Sequence, residues 1–100
     1  MLDTLTAAAF TPHLGSRFRL RAVPDALEID LELAEVQELG SQSAPAGRRA
    51  PFTVSFRGPR SPHLPQRTYQ LDHDGMGRFE LFLVPVGFDG GGLRYEAVFN

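Results

Sequence analysis

The chain contains no cysteine, no tryptophan and no lysine, and no uninterrupted apolar run in it approaches a membrane-spanning length. Without cysteine, disulfides and thiolate chemistry are excluded, which fits synthesis in a reducing compartment and sets a cytoplasmic location as the expectation. A bilayer span needs roughly 18 or more apolar residues, so no membrane association is expected. The opening MLDTLTAAAF carries an early acid and no basic stretch, unlike a signal peptide. The formal net charge of -2 lacks the basic excess of a nucleic-acid binder, so no nucleic-acid partner is expected either. With 10 basic residues, all of them arginine, the absence of lysine reads mostly as codon usage.

What is present is alternation. One hundred residues with 42% hydrophobic content fit a single domain, 1–100, around one core. From Ser16 to Ala22, Phe18, Leu20 and Ala22 share one face and Arg17, Arg19 and Arg21 the other. After the turn signal Pro24-Asp25, Leu27, Ile29, Leu31 and Leu33 alternate with Glu28, Asp30 and Glu32. A two- or four-residue loop centred on Pro24-Asp25 sets Arg21 against Glu28, Arg19 against Asp30 and Arg17 against Glu32. A one-residue slip would place arginine against leucine, so the ladder specifies register. The period breaks near Ala34-Glu35, which predicts a bulge or a strand end.

Residues 40–51 are rich in small residues, Gly and Pro and read as a loop. Phe52, Val54 and Phe56 then alternate as a third strand. A second long connection, 57–66, holds Pro59, Pro62 and Pro65, which cannot donate to a central ladder. A fourth strand runs near Arg67 to His73. Joining it to a fifth through a three-residue loop, Asp74-Gly75-Met76, opposes Leu71 to Phe79 and Tyr69 to Leu81, whereas a two-residue turn would oppose Leu71 to Arg78. The fifth strand is apolar on both faces, Leu81 and Leu83 on one and Phe82, Val84 and Val86 on the other. Both must be covered, the second by the N-terminal helix or by another protein. Leu93, Tyr95, Ala97 and Phe99 close the set. The expected fold is all-β, a compact antiparallel barrel or roll of about six strands, with a helical N-terminal segment (1–14) whose helix at 3–10 must dock through Leu2, Leu5 and Phe10.

Chemistry is sparse. The 3 histidines stand at positions 13, 63 and 73, none at a ligand spacing such as His-x-x-x-His, so no metal and no cofactor is expected. His73, between Asp72 and Asp74, reads as a strand-end histidine bonded near a turn rather than a catalytic base. The serines lack a nucleophile's sharp turn, and Gly90-Gly91-Gly92 lacks the helix and Lys-Ser/Thr of a phosphate loop. Arg48, Arg49, Arg57, Arg60 and Arg67 lie on or beside expected loops and form one candidate grip for an acidic partner. Phe82, Val84 and Val86 form another candidate contact surface.

Phe52-x-Val54-x-Phe56-Arg57-Gly58-Pro59, Leu64-Pro65-Gln66-x-x-Tyr69, His73-x-x-x-Gly77, Phe82-Leu83-Val84-Pro85-Val86-Gly87 and Tyr95-Glu96-Ala97-Val98-Phe99-Asn100, with Phe10, His13, Gly15 and Phe18 ahead of them, resemble a small bacterial domain family of unknown function. The likeness spans nearly the whole chain and carries no catalytic residues to transfer. It implies an accessory role in an assembly, since such proteins are encoded beside phage-tail-like or tail-collar proteins. The expected function is therefore non-enzymatic interaction with another protein or with a second copy. The alternatives are a small-ligand barrel lined by Phe18, Phe52, Phe56, Tyr69, Phe79 and Phe99, and, behind both, a hydrolase-type enzyme built on His73 with Asp72 or Asp74.

Overall fold

The computed structural model describes residues 5–22, 27–38, 51–61 and 63–99. Arg48, Arg49, the Pro24-Asp25 turn and most of the 40–51 connection lie outside these residues. Six strands form a closed antiparallel barrel: β1 (Arg17–Ala22), β2 (Leu27–Glu38), β3 (Phe52–Pro59), β4 (Arg67–His73), β5 (Gly77–Asp89) and β6 (Gly92–Phe99). Around the wall the order is β1-β2-β3-β6-β5-β4. Two three-stranded meanders are thus joined along β3–β6, which share 8 aligned pairs, and along β1–β4, which share 3. Closure removes the exposed edges that an open sheet would leave over most of the wall.

Period-two burial decides the strands. Phe18, Leu20, Ile29, Leu31, Leu33, Phe52, Val54, Phe56, Tyr69, Leu71, Leu81 and Leu83 all lie in the core. The expected arginine–acid register holds, with Arg17, Arg19 and Arg21 opposite Glu32, Asp30 and Glu28. The break in period is a bulge between Leu33 and Glu35. The three-residue loop at 74–76 also holds, with Leu71 opposite Phe79 and Tyr69 opposite Leu81. Gly77 ends that loop at φ 82°, a conformation that disfavours a side chain. β3 continues through Gly58 and Pro59, so the second connection is shorter than expected. A Cβ at Gly58 would stand 2.7 Å from Leu31 Cδ2, so a larger residue there would have to displace that side-chain end.

The N-terminal segment is a cork. Helix α1 (Ala7–Phe10) is capped by Thr6, whose Oγ1 accepts from Ala9 N at 3.1 Å. A 3₁₀ turn, Thr11–His13, follows and takes Pro12 without a break. α1 packs on β2 and β3, and Phe82 and Val86 on the outer face of β5 are exposed. Phe10 is fully buried, with its ring centroid 5.8 to 6.5 Å from those of Phe99, Phe79, Phe52 and Phe18. At the other end of β4, the 60–66 connection sends Leu64 into the core. Its backbone N–H donates to Tyr95 Oη at 3.2 Å, and Tyr69 Oη donates to Pro65 O at 2.6 Å. Of the residues that would line a ligand chamber, Phe18, Phe52, Phe56, Phe79 and Phe99 are instead in ring contact with one another or with Phe10, and Tyr69 is buried beside them in the core.

Candidate functional site

The outer wall is two-sided. Over β2, β1 and β4, carboxylates and guanidiniums alternate: Asp30 lies 3.8 Å from both Arg17 and Arg19, and Glu28 lies 3.7 Å from Arg21. Asp72 accepts from Arg21 Nε and from Arg78 Nε, both at 2.9 Å, and the Arg78 hydrogen bond leads the causes that hold its carboxyl below the usual aspartate range. Farther round, Arg57 meets Glu32 at 3.3 Å and Arg94 binds Glu35. Exposed pairs of this kind add little stability each. Their sum is a wall on which most carboxylates are paired within the domain, bordering an open groove of about 640 Å³ between Arg17, Arg19, Asp72 and Arg78.

Over the second half of β5 and the end of β6 the wall carries an apolar patch. Leu81 and Leu83 fill the interior, so the alternation turns Phe82 and Val84 outward, and Phe82 is 51% exposed. Val84 stands opposite Glu96 on β6. Two residues along each strand from that pair, Phe82 and Val98 share the same outer face, and Val98 is 57% exposed. Thr68 flanks Phe82 on β4, and Thr53 flanks Val98 on β3. Val86 extends the apolar surface at a bulge between Pro85 and Gly87. Isolated exposed hydrophobics are ordinary, but neighbouring ones on adjacent strands form a patch. Glu80 and Glu96 border it, and among the described residues neither joins an ion pair.

Of the arginines expected to act together, Arg48 and Arg49 lie outside the described residues, and Arg57, Arg60 and Arg67 each meet a different group. Arg57 is a strand residue bonded to Glu32, not a loop residue. Arg60 lies 4.7 Å above the Phe88 ring, and Arg67, at the start of β4, lies 5.3 Å from the Tyr69 ring. Of the expected contact residues, Phe82, Val84 and Val86 are brought together. Val98 joins them, and its outward parity between Ala97 and Phe99 is the signal that could have found it.

A serine–histidine contact also forms that sequence spacing did not reveal. Ser16 Oγ lies 2.9 Å from His73 Nε2, across 57 positions of chain. The His73 Nδ1 atom accepts from Gly75 N at 2.9 Å and Met76 N at 3.2 Å, so in the neutral ring the proton sits on Nε2 and is donated to Ser16. The Ser16 hydroxyl in turn donates to His13 O at 2.6 Å. Serine activation needs the reverse, an Nε2 free to take the hydroxyl proton. Burial, then the neighbouring His13, pushes the His73 pKa down, against an opposing pull from Asp74. His13 and His73 pack edge to face with centroids 4.5 Å apart, and no group of three or more potential metal ligands occurs among the described residues. The cluster fastens the cork to the β4–β5 turn.

A closed six-stranded antiparallel barrel, corked by a short N-terminal helix, is the class to which this fold belongs. Residues 5–99 match the family model described as a domain of unknown function, DUF6916, and the chain belongs to that family. No curated protein and no solved structure matches the chain. Among the described residues, no helix is long and apolar enough to cross a membrane.

Proposed function

We propose that this domain is a non-enzymatic protein-interaction module that docks through the outer wall of β5 and β6. The observation that carries this is the exposure of Phe82 and Val98 side by side on a wall whose other half has paired most of its charges. Exposed apolar area of that kind is stabilised by burial against a partner. The Ser16–His73 geometry supports the non-enzymatic side, because the imidazole already donates where a general base would have to accept. An accessory role in a larger, phage-tail-like assembly, implied by the resemblance, is one form such a function would take.

The test is a comparison of the domain with its Phe82→Ser/Val98→Thr variant, both confirmed as folded by circular dichroism. Each is used to retrieve proteins from the native host, and any candidate is then purified and its affinity for both forms measured. Loss of at least tenfold in affinity is expected for the variant, as for central apolar contacts at an interface. Equal affinity for the two forms would show that this wall is not the docking face.

A further inference from the structure

We infer that the β5–β6 wall takes a different protein, not a second copy, and that the partner's contact surface is apolar at its centre with lysine or arginine at its edge. This rests on the interaction reading above and specifies the occupant. Glu80 and Glu96 decide the charge. On the opposite wall Glu28, Asp30, Glu32, Glu35 and Asp72 are each held by an arginine, whereas these two carboxylates border the surface of exposed Phe82 and Val98 and half-buried Val84 without an ion pair among the described residues. A partner covering that surface removes water from both carboxylates, which costs free energy unless a cation replaces it.

The same two residues disfavour self-pairing. Two copies packed face to face through this wall would gather Glu80 and Glu96 from each around one apolar patch, with like charges opposed. Among the described residues Arg17, Arg19, Arg21, Arg57, Arg78 and Arg94 already hold carboxylates, and Arg60 and Arg67 lie against aromatic rings. Strand addition is also disfavoured. The β4 ladder stops at Leu83, and beyond it Pro85 has no N–H to donate and the Pro85/Gly87 bulge interrupts regular pairing. Docking therefore proceeds by side-chain packing on the wall, with cations reaching the two glutamates.

The probe is a fluorescent peptide of alternating leucine and lysine, compared by anisotropy with leucine/glutamate and serine/lysine counterparts at low and high salt, using the intact domain. Only the leucine/lysine peptide is expected to bind, more weakly as salt rises. Binding should fall by at least tenfold in the Glu80→Lys/Glu96→Lys variant, which should instead take the leucine/glutamate peptide. Glu38→Lys, at the far end of β2, should leave binding unchanged. Failure of the leucine/lysine peptide to bind, or equal binding of the leucine/glutamate peptide, overturns the charge assignment and leaves the wall as docking face intact. Leucine/lysine binding that Phe82→Ser does not weaken removes the wall itself. Light scattering that shows a dimer abolished by Phe82→Ser would make the occupant a second copy.

Discussion

Replacing Phe10 by alanine tests whether the N-terminal segment belongs to the core or merely leans on it. A four-residue helix has no stability of its own in water, so α1 persists only through what it buries. That is chiefly Leu5 and Phe10, the latter in ring contact with four other phenylalanines. Removing a fully buried phenylalanine costs about 3–5 kcal/mol when the cavity cannot collapse. Here the loss has a ceiling, because the segment can detach once the cavity costs more than docking contributes. Burial of one phenylalanine and one leucine contributes about 3–6 kcal/mol before the entropy of ordering is subtracted. The low end, about 3 kcal/mol, is therefore expected, equivalent to a fall of roughly 12–24 °C in Tm for a domain of this size. Urea unfolding followed by far-ultraviolet circular dichroism gives the loss directly. The denaturant slope shows the route, since a detached segment exposes less new surface on unfolding and lowers m. A loss below about 1 kcal/mol with unchanged slope would refute the view of Phe10 as the barrel's inner cork.

Stability should fall as pH drops from neutrality into the histidine range. The His73 pKa is depressed on folding, so the unfolded chain takes up the proton first, and the stability present above pH about 6.5 is lost as pH falls toward the folded value. His73→Gln should flatten that slope in urea midpoints measured across the range; an unchanged slope would assign the effect elsewhere. Asp72, also depressed, contributes a separate acid limb below the carboxylate range, which Asp72→Asn should diminish in the same measurement. Ser16→Ala should cost about 1 kcal/mol in chemical denaturation by removing the hydroxyl between His73 and His13 O. Gly92→Ala should destabilise more than Gly58→Ala by thermal melting, within the roughly 1–3 kcal/mol of overpacking. Its Cβ would meet the Gly58 carbonyl oxygen at 2.5 Å, where the backbone must shift, whereas at Gly58 the obstacle is the movable end of Leu31.

The strands were legible because most large side chains from Phe18 onward repeat at period two between segments that carry turn signals. Register was legible for the same reason: Arg17, Arg19 and Arg21 fit Glu32, Asp30 and Glu28 in one alignment only. Leu5 and Phe10 were readable as docking residues, but nothing local says that Phe10 enters the barrel's interior, since that depends on where four distant rings converge. The Ser16–His73 contact was hidden for a like reason, its partners being joined only when β1 and β4 close the barrel. The connection expected at 57–66 starts too early because Pro59, Pro62 and Pro65 argue against a ladder; β3 continues through Gly58 and Pro59, with Pro59 aligned on Gly92. Of the candidate face, Phe82, Val84 and Val86 follow from alternation. That Glu80 and Glu96 have no arginine paired with them among the described residues does not, because only the folded wall shows which carboxylates the arginines reach.

The unequal joins between the two meanders bear on how the molecule breathes. Along one, eight residue pairs bind β3 to β6; along the other, three bind β1 to β4. Thermal opening should begin at the shorter, so the amides of Leu20 and Leu71 would exchange with solvent deuterium sooner than those of Val54 and Ala97, although all four side chains are buried. The barrel would then part like a hinged clasp, its long side holding while the short side gapes, with the Ser16–His73 contact beside the gap as its catch.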